Sequence, residues 1–246
     1  MQMKLKGKQQ LPWKAILACV FFVGITAAPA QAELLDGPVA VYEGNTFLGY
    51  VSDTYNNQNT FTYTTNIADA LNIEINSSAS TFAGLMLNPP GSNSYFGAVG
   101  GAISYYFAPG QVGYAYLSGT SLVAANSPPS STATNDIQSQ GYNAPSESTI
   151  WSLSGTQLTA QWTNSDGTQN PTVTAYDPFT NSLIITGDLN AYNFNFGDNA
   201  VAVTLQFEGT PVAAPEPSSF LLMGVGAIGM LAYRLRQSRR HAETLT

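Results

Sequence analysis

The segment Leu158-Thr-Ala-Gln-Trp-Thr163 alternates apolar and polar residues, which is the period of a β-strand with one buried face. The connection that follows, Asn164-Ser-Asp-Gly167, consists of residues that favour tight turns. A second alternating segment, Thr172-Val-Thr-Ala-Tyr176, comes shortly after it. These features predict a β-hairpin that joins 158–163 to 172–176.

Comparable runs recur at roughly ten-residue spacing along the centre of the chain, separated by Gly, Asn, Asp, Ser and Pro. They predict an all-β fold, an antiparallel β-sandwich or barrel-like domain. Asn66–Leu71 is expected to form one helical turn. The predicted strands are Val39–Glu43, Phe47–Ser52, Thr60–Thr65, Leu71–Ile75, Ala102–Phe107, Val112–Leu117, Ile150–Leu153, Leu158–Thr163, Thr172–Tyr176, Leu183–Thr186, Leu189–Phe196 and Ala200–Phe207.

The most regular alternation lies near the end of this region. Aromatic residues at 192, 194 and 196 alternate with asparagines, and Gly197-Asp198-Asn199 offers a turn before Ala200–Phe207. We therefore expect a second hairpin, with Leu189–Phe196 as its first strand. The stretch 125–148 is rich in Ser, Asn and Pro, and it is predicted to be a long polar surface loop.

The charge distribution separates the centre of the chain from its ends. The chain has 246 residues and a net charge of −7, and all eight Lys and Arg residues lie in the two terminal segments. The single Cys and the single His lie there as well. All but one of the 15 acidic residues lie between Glu33 and Pro217. The central domain is therefore acidic and has no cationic, imidazole or thiol side chain.

This composition excludes several classes of function for the central domain. Nucleic-acid binding is not expected, because phosphates are bound mainly by Lys and Arg. Ser–His and Cys–His nucleophilic systems cannot be built, and zinc or haem sites lack their usual ligands. Carboxylate chemistry and oxygen-ligated cations such as Ca²⁺ remain. We expect a domain that is not an enzyme and that has no catalytic residues and no established metal site.

The N-terminus has the features of a cleaved signal peptide over residues 1–32. Four lysines precede an apolar run from Ala15 to Ile25, and Ala30 and Ala32 form an A-x-A cleavage box. An uncleaved anchor is the alternative, but the run is shorter than the roughly 20 residues that a spanning helix needs. The exported domain is then expected to cover residues 33–211.

The C-terminus has three parts in a fixed order. Pro215, Glu216 and Pro217 precede a short apolar segment, predicted to be transmembrane over about 218–233, and a basic cluster follows it. The positive-inside rule places this cluster in the cytoplasm and the central domain on the exported side. Residues 241–246 form a tail. The basic residues are Arg234, Arg236, Arg239 and Arg240.

Residues 212–240 closely resemble the PEP-CTERM sorting domain, although an ordinary single-span anchor is the alternative. The resemblance implies processing near Pro215-Glu216-Pro217 by an exosortase-like membrane enzyme. It also implies export in a Gram-negative bacterium that makes exopolysaccharide, with the membrane and exopolysaccharide as partners. Proteins with this tag share it without sharing a central domain, so the tag indicates location rather than activity.

Two speculative sites can be named in the central domain. A sugar site would combine an aromatic platform with amide and carboxylate groups, and the alternative is that Trp162 is a core residue beside an ordinary turn. Ca²⁺ would take its oxygens from Asp198 and Asn199, or from Asp166 and Asn164, although neither stretch has a known calcium-loop spacing. The candidate residues are Trp162, Asn164, Asp166, Tyr176, Asp177 and Asp198.

The sequence thus predicts an exported cell-surface or exopolysaccharide-matrix protein with a structural or adhesive role. A carbohydrate-binding, lectin-like module is the first alternative. A glycoside hydrolase that uses two carboxylates is the second, although no pair of acids can be chosen from sequence.

Overall fold

A computed structural model of the protein describes residues 34–137 and 144–211, and most of their regular structure is antiparallel β-sheet. The predicted all-β antiparallel fold is confirmed. The strands are β1 Leu34–Glu43, β2 Thr46–Tyr55, β3 Phe61–Thr64, β4 Asn72–Asn76, β5 Gly84–Met86, β6 Tyr95–Gly100, β7 Tyr114–Thr120, β8 Ser146–Glu147, β9 Trp151–Ser154, β10 Gln157–Thr163, β11 Gln169–Pro171, β12 Val173–Asp177, β13 Ser182–Thr186, β14 Val201–Ala202, β15 Thr204–Phe207 and β16 Thr210–Pro211.

These strands form a curled sheet that resembles half of a barrel. Its main path runs β11-β10-β15-β1-β4-β5-β6-β7-β13-β12-β14. Strand β1 lies near the middle because its two halves have different neighbours: Leu34–Pro38 pairs with β4, and Val39–Tyr42 pairs with β15. At this crossing a Cβ on Gly37 would lie 2.4 Å from the Cα of Gly209, so the close approach of the two backbones requires glycine.

The main core consists of buried aliphatic and aromatic side chains contributed by most of the strands. Trp151 stacks on Phe96 with ring centroids 4.7 Å apart, and its Nε1 donates to the Phe96 carbonyl oxygen. Trp162 stacks on Phe107 at 5.1 Å, and its Nε1 donates to the Tyr105 carbonyl. Both indoles are fully buried with their N–H groups satisfied, which is the arrangement that makes a buried tryptophan stabilising.

The predicted hairpin at 158–176 is correct in its turn and wrong in its second strand. Asn164–Gly167 forms the turn, where Gly167 N donates to the Asn164 carbonyl oxygen at 2.8 Å. The strand that returns along β10 is β11, with Thr163 opposite Gln169. Strand β12 pairs instead with β13 and β14.

The predicted strand at Leu189–Phe196 is wrong, because these residues form a helix, α1. Asp188 caps its N-terminus by accepting a hydrogen bond from Ala191 N, and Gly197 ends it with a φ of 68°. Tyr192 and Phe196 lie one turn apart and both pack on Tyr114, whereas Phe194 is 93% exposed. Tyr192 and Phe196 are therefore an i, i+4 aromatic pair on one face of the helix.

All the other predicted strands except Ala102–Phe107 overlap an observed strand, and the expected helical turn is a 3-10 turn at Ile67–Asp69. Residues 102–107 form a loop, and the side chain of Asn164 holds the end of this loop at Phe107. It accepts from Phe107 N and donates to the Phe107 carbonyl oxygen, at 2.7 and 2.9 Å. Sequence inspection missed β5, β6, β8, β11 and β16.

Candidate functional site

A solvent-connected cavity of about 450 Å³ is built from four separate segments of the chain. Tyr55 comes from the end of β2 and Asn59 from the turn that follows it. Residues 90–93 come from the β5–β6 connection, and residues 134–136 come from the segment after β7. A cavity of this volume lies within the range of small-molecule sites.

Asp136 holds these segments together, although it is only 6% exposed. Its Oδ1 accepts hydrogen bonds from Ser92 N, Asn93 N and Asn93 Nδ2, at 2.9, 3.3 and 2.8 Å. Its Oδ2 accepts from the Tyr55 hydroxyl at 2.6 Å. A carboxyl group with this many donors is well compensated for its burial, and the wall of the cavity is fixed as a result.

The Tyr55 hydroxyl connects this carboxyl group to the sheet. It donates to Asp136 and accepts a hydrogen bond from Gly119 N at 2.9 Å. Burial and the neighbouring Asp136 raise the pKa of Tyr55 well above its usual value. The phenol therefore keeps its proton and acts as a permanent donor to the carboxyl group.

Two glycines make room for the carboxyl group. A Cβ on Gly91 would lie 2.3 Å from Asp136 Oδ2, and a Cβ on Gly119 would lie 2.1 Å from the same atom. Contacts this short cannot be relieved by small shifts while the four hydrogen bonds are kept. The site therefore depends on glycine at both positions.

The polar groups around the cavity are mostly neutral amides and hydroxyls. Thr134 Oγ1 donates to Asn93 Oδ1 at 2.7 Å, and Asn59 Nδ2 donates to the Asp136 carbonyl oxygen at 2.9 Å. Ser92 is exposed at the rim. Such groups both donate and accept hydrogen bonds, so the lining suits a neutral ligand rich in hydroxyl groups.

The stretch 125–148, predicted to be a surface loop, contributes much of this site. Its described residues include strand β8 and several buried side chains, among them Asn135, Asp136, Ile137 and Glu147. It therefore packs into the domain at these positions. Sequence reasoning missed Asp136, and the only signal for it was the apolar Ile137 beside it in an otherwise polar stretch.

A second buried acid, Glu147, lies 3% exposed on β8. In the described part of the chain one group donates to it: Thr163 N lies 3.1 Å from Oε1 and 3.3 Å from Oε2. Burial raises the pKa of Glu147 to about 9. The side chain is therefore a neutral carboxylic acid at pH 7.

The structure places the predicted site residues in two groups with different partners. Asn164 and Asp166 belong to the β10–β11 turn, where the Asp166 carboxylate accepts from Thr168 and from the Tyr106 hydroxyl. These hydrogen bonds, above all those from Thr168, lower the pKa of Asp166. Trp162 beneath them is fully buried, so its ring has no face on which a sugar could stack. The alternative interpretation, a core tryptophan beside a turn, fits the structure.

The other group surrounds Asp177, which is fully buried. Its carboxyl oxygens accept from Phe179 N, the Thr180 hydroxyl and the Tyr192 hydroxyl, at 2.9, 2.7 and 3.0 Å. Asp177 thus fastens α1 to the β12–β13 turn. Burial and the nearby Asp177 raise the pKa of Asp198, while Tyr176 packs on Tyr63.

Neither group forms a metal centre in the described part of the chain. Among residues 34–137 and 144–211, no three His, Cys, Asp or Glu side chains are grouped closely enough to hold an ion. The same residues contain no helix with the length and apolar character needed to cross a membrane. The predicted membrane segment 218–233, the cleavage box Ala30 and Ala32, and the terminal arginines lie outside the described residues.

Comparison with known protein families places one segment of the chain. Residues 213–237 match the model of the PEP-CTERM protein-sorting motif. The chain carries a PEP-CTERM sorting motif. The match covers Pro215, Glu216 and Pro217 and confirms the resemblance seen in the sequence. Comparisons with curated proteins and with solved structures gave no match.

The PEP-CTERM motif defines how the protein is handled. It implies an exported protein that is sorted and processed by an exosortase. The match begins at residue 213, two positions after β16 ends at Pro211. It covers a segment only, so the activity of the β-domain has to be argued from the domain itself.

Proposed function

We propose that this protein is a non-enzymatic structural or adhesive component of the cell surface or exopolysaccharide matrix of a Gram-negative bacterium. The observation that carries the proposal is the use of the three buried carboxyl groups. Asp136, Glu147 and Asp177 each accept hydrogen bonds from backbone or hydroxyl groups of other segments. Buried acids with internal partners of this kind support a role in the architecture of the domain rather than in catalysis.

The same geometry argues against the glycoside hydrolase alternative. A two-carboxylate hydrolase needs a pair of acids about 5 to 9 Å apart across one cleft. The cavity lining formed by the described residues includes one acidic side chain, Asp136, and its oxygens are occupied by internal donors. Glu147 and Asp177 are buried in other parts of the domain.

The proposal is tested by following the protein in the strain that makes it. Cells, membranes and matrix are separated and probed for the parent and for Glu216→Ala. We expect the processed parent at the surface or in the matrix, and unprocessed Glu216→Ala in the membrane fraction. Glu208→Ala, an exposed acid outside the motif, is the matched control and should behave like the parent.

Loss of the gene should also weaken cell aggregation or attachment to the matrix, and the parent gene should restore it. A protein recovered only as a soluble periplasmic species, with no effect of its loss on aggregation, would contradict the proposed role. Hydrolysis of matrix polysaccharide by the purified protein would contradict its non-enzymatic part.

A further inference from the structure

We propose that the Asp136 cavity, the space lined by Tyr55, Asn59, 90–93 and 134–136, binds a neutral oligosaccharide segment. The inference rests on the proposed surface or matrix role and names the class of ligand that the domain would hold. The volume of about 450 Å³ is large enough for one or two sugar units. The charge, the polarity and the rigidity of the lining all favour this class of ligand.

Charge excludes anionic ligands. No Lys or Arg lies between Glu33 and Pro217, and Asp136 contributes a carboxyl group to the lining. A phosphate, sulfate or uronate group would meet an acidic surface without a counter-charge, which raises the free energy of binding. The ligand that the site accepts is therefore neutral.

The polar groups of the lining favour sugars. Thr134, Asn93 and Ser92 supply hydroxyl and amide groups at and near the opening. Thr134 is exposed and its hydroxyl oxygen still has lone pairs after donating to Asn93. The Asn93 amide and the exposed Ser92 hydroxyl also line the cavity. Neutral sugars present hydroxyls that donate and accept, which matches this set.

Rigidity makes these groups useful for binding. The 90–93 segment is held by three hydrogen bonds to one carboxyl oxygen, and the other oxygen is fixed by Tyr55. Side chains that are already ordered lose little conformational entropy when a ligand binds. The Tyr55 ring, which is half-buried, adds an apolar surface to the lining.

The exported mature protein is titrated with neutral tetrasaccharides of glucose, mannose, galactose and N-acetylglucosamine, and binding is measured by calorimetry. A sulfated heparin tetrasaccharide is the anionic counterpart, and every titration is repeated in EDTA. We expect at least one neutral probe to bind with a Kd below about 1 mM, unaffected by EDTA, and the heparin fragment not to bind.

Two variants assign the binding to the cavity. Thr134→Trp fills the opening, and Ser92→Leu removes a hydroxyl while keeping the backbone N–H on Asp136. Each should weaken binding by about tenfold or more. Thr132→Trp, an exposed threonine outside the lining, is the matched control and should bind like the parent. Thermal unfolding of all three verifies that they are folded.

The inference is overturned if no neutral probe binds, if heparin binds more tightly, or if both cavity variants bind like Thr132→Trp. These outcomes are separate from those of the proposed function. A Thr134→Trp strain that still sorts the protein and aggregates normally, while the parent protein binds no sugar, would remove the ligand and leave the surface role intact.

Discussion

Asp136 and Glu147 are both almost fully buried, yet their surroundings differ in one respect. Asp136 accepts hydrogen bonds from three N–H groups and one phenol, all on segments distant in the chain. Among the described residues, one group, Thr163 N, donates to Glu147, and burial raises the pKa of Glu147 to about 9. The two acids are buried to a similar depth, and they differ in the number of donors that compensate the carboxyl group for its lost hydration.

The difference also separates two uses of a buried acid. Asp136 joins the loop 90–93 to β2 and to the segment after β7, so it organises the cavity. Glu147 lies between β6 and β10, where it satisfies one backbone N–H of Thr163. We therefore expect Asp136 to be essential to the fold around the cavity, and Glu147 to reduce stability at neutral pH.

The largest expected effect comes from Asp136→Ala. The substitution leaves at least four donors without their acceptor and opens space beside Gly91 and Gly119. We expect a loss of about 3 to 5 kcal/mol in the free energy of unfolding, measured by urea denaturation. Asp69→Ala, at an exposed position, is the control and should cost less than about 1 kcal/mol. Equal losses in the two variants would contradict the organising role of Asp136.

Glu147→Gln should raise the free energy of unfolding at neutral pH, whereas Asp136→Ala should lower it. Because burial raises the pKa of Glu147 from 4.5 to about 9, the folded protein keeps a proton that the unfolded chain releases between these values. Stability therefore falls as pH rises through that window, by about 1.4 kcal/mol per unit. The neutral glutamine removes this dependence, so it should stabilise the protein by up to about 3 kcal/mol at pH 7.

The measurement for Glu147→Gln is thermal unfolding between pH 4 and pH 9. Below about pH 4.5 both states of the parent are protonated, so parent and variant should unfold together. Glu43→Gln, exposed at the end of β1, controls for the loss of a surface charge. A stability difference between Glu147→Gln and the parent that stays constant across this range would mean that titration of Glu147 is not its cause.

Features encoded within a few consecutive residues could be predicted from the sequence. The Asn164–Gly167 turn and the PEP-CTERM motif are both linear patterns, and each was identified correctly. The helix α1 was missed although its local signals were present, with Asp188 as the N-terminal cap and Gly197 at the end. The alternation of aromatic residues favoured a strand in spite of these caps. In the structure Tyr192 is the one buried residue of the helix.

Features that depend on distant pairing could not be predicted. Strand β1 pairs with β15 and β16 from the other end of the domain. The sequence of β1 alone does not indicate which strands it pairs with. The cavity is assembled from four separate segments that meet at Asp136. Asn164 was chosen correctly as a turn residue, but its bonds to Phe107 span 57 positions. Packing of this kind is determined by the whole chain.

The smallest expected effects concern the serines on either side of Glu147. In the described part of the chain, Ser146 Oγ is buried without a hydrogen-bond partner, whereas Ser148 Oγ accepts from Val123 N at 2.7 Å. Ser146→Ala removes an unsatisfied hydroxyl and should raise the free energy of unfolding by about 1 kcal/mol. Ser148→Ala removes a used acceptor and should lower it by about 1 to 2 kcal/mol.

The two serine variants are each other's control, because both remove one oxygen from a fully buried serine within three residues. We expect the two changes in the free energy of unfolding, measured by urea denaturation at one pH, to have opposite signs. That result would extend the comparison of Asp136 and Glu147 to uncharged groups. If both variants lose stability equally, the lost side-chain packing outweighs hydrogen bonding here. The number of hydrogen-bond donors would then account for stability only at the ionisable residues, since desolvation is far more costly for a charge than for a hydroxyl.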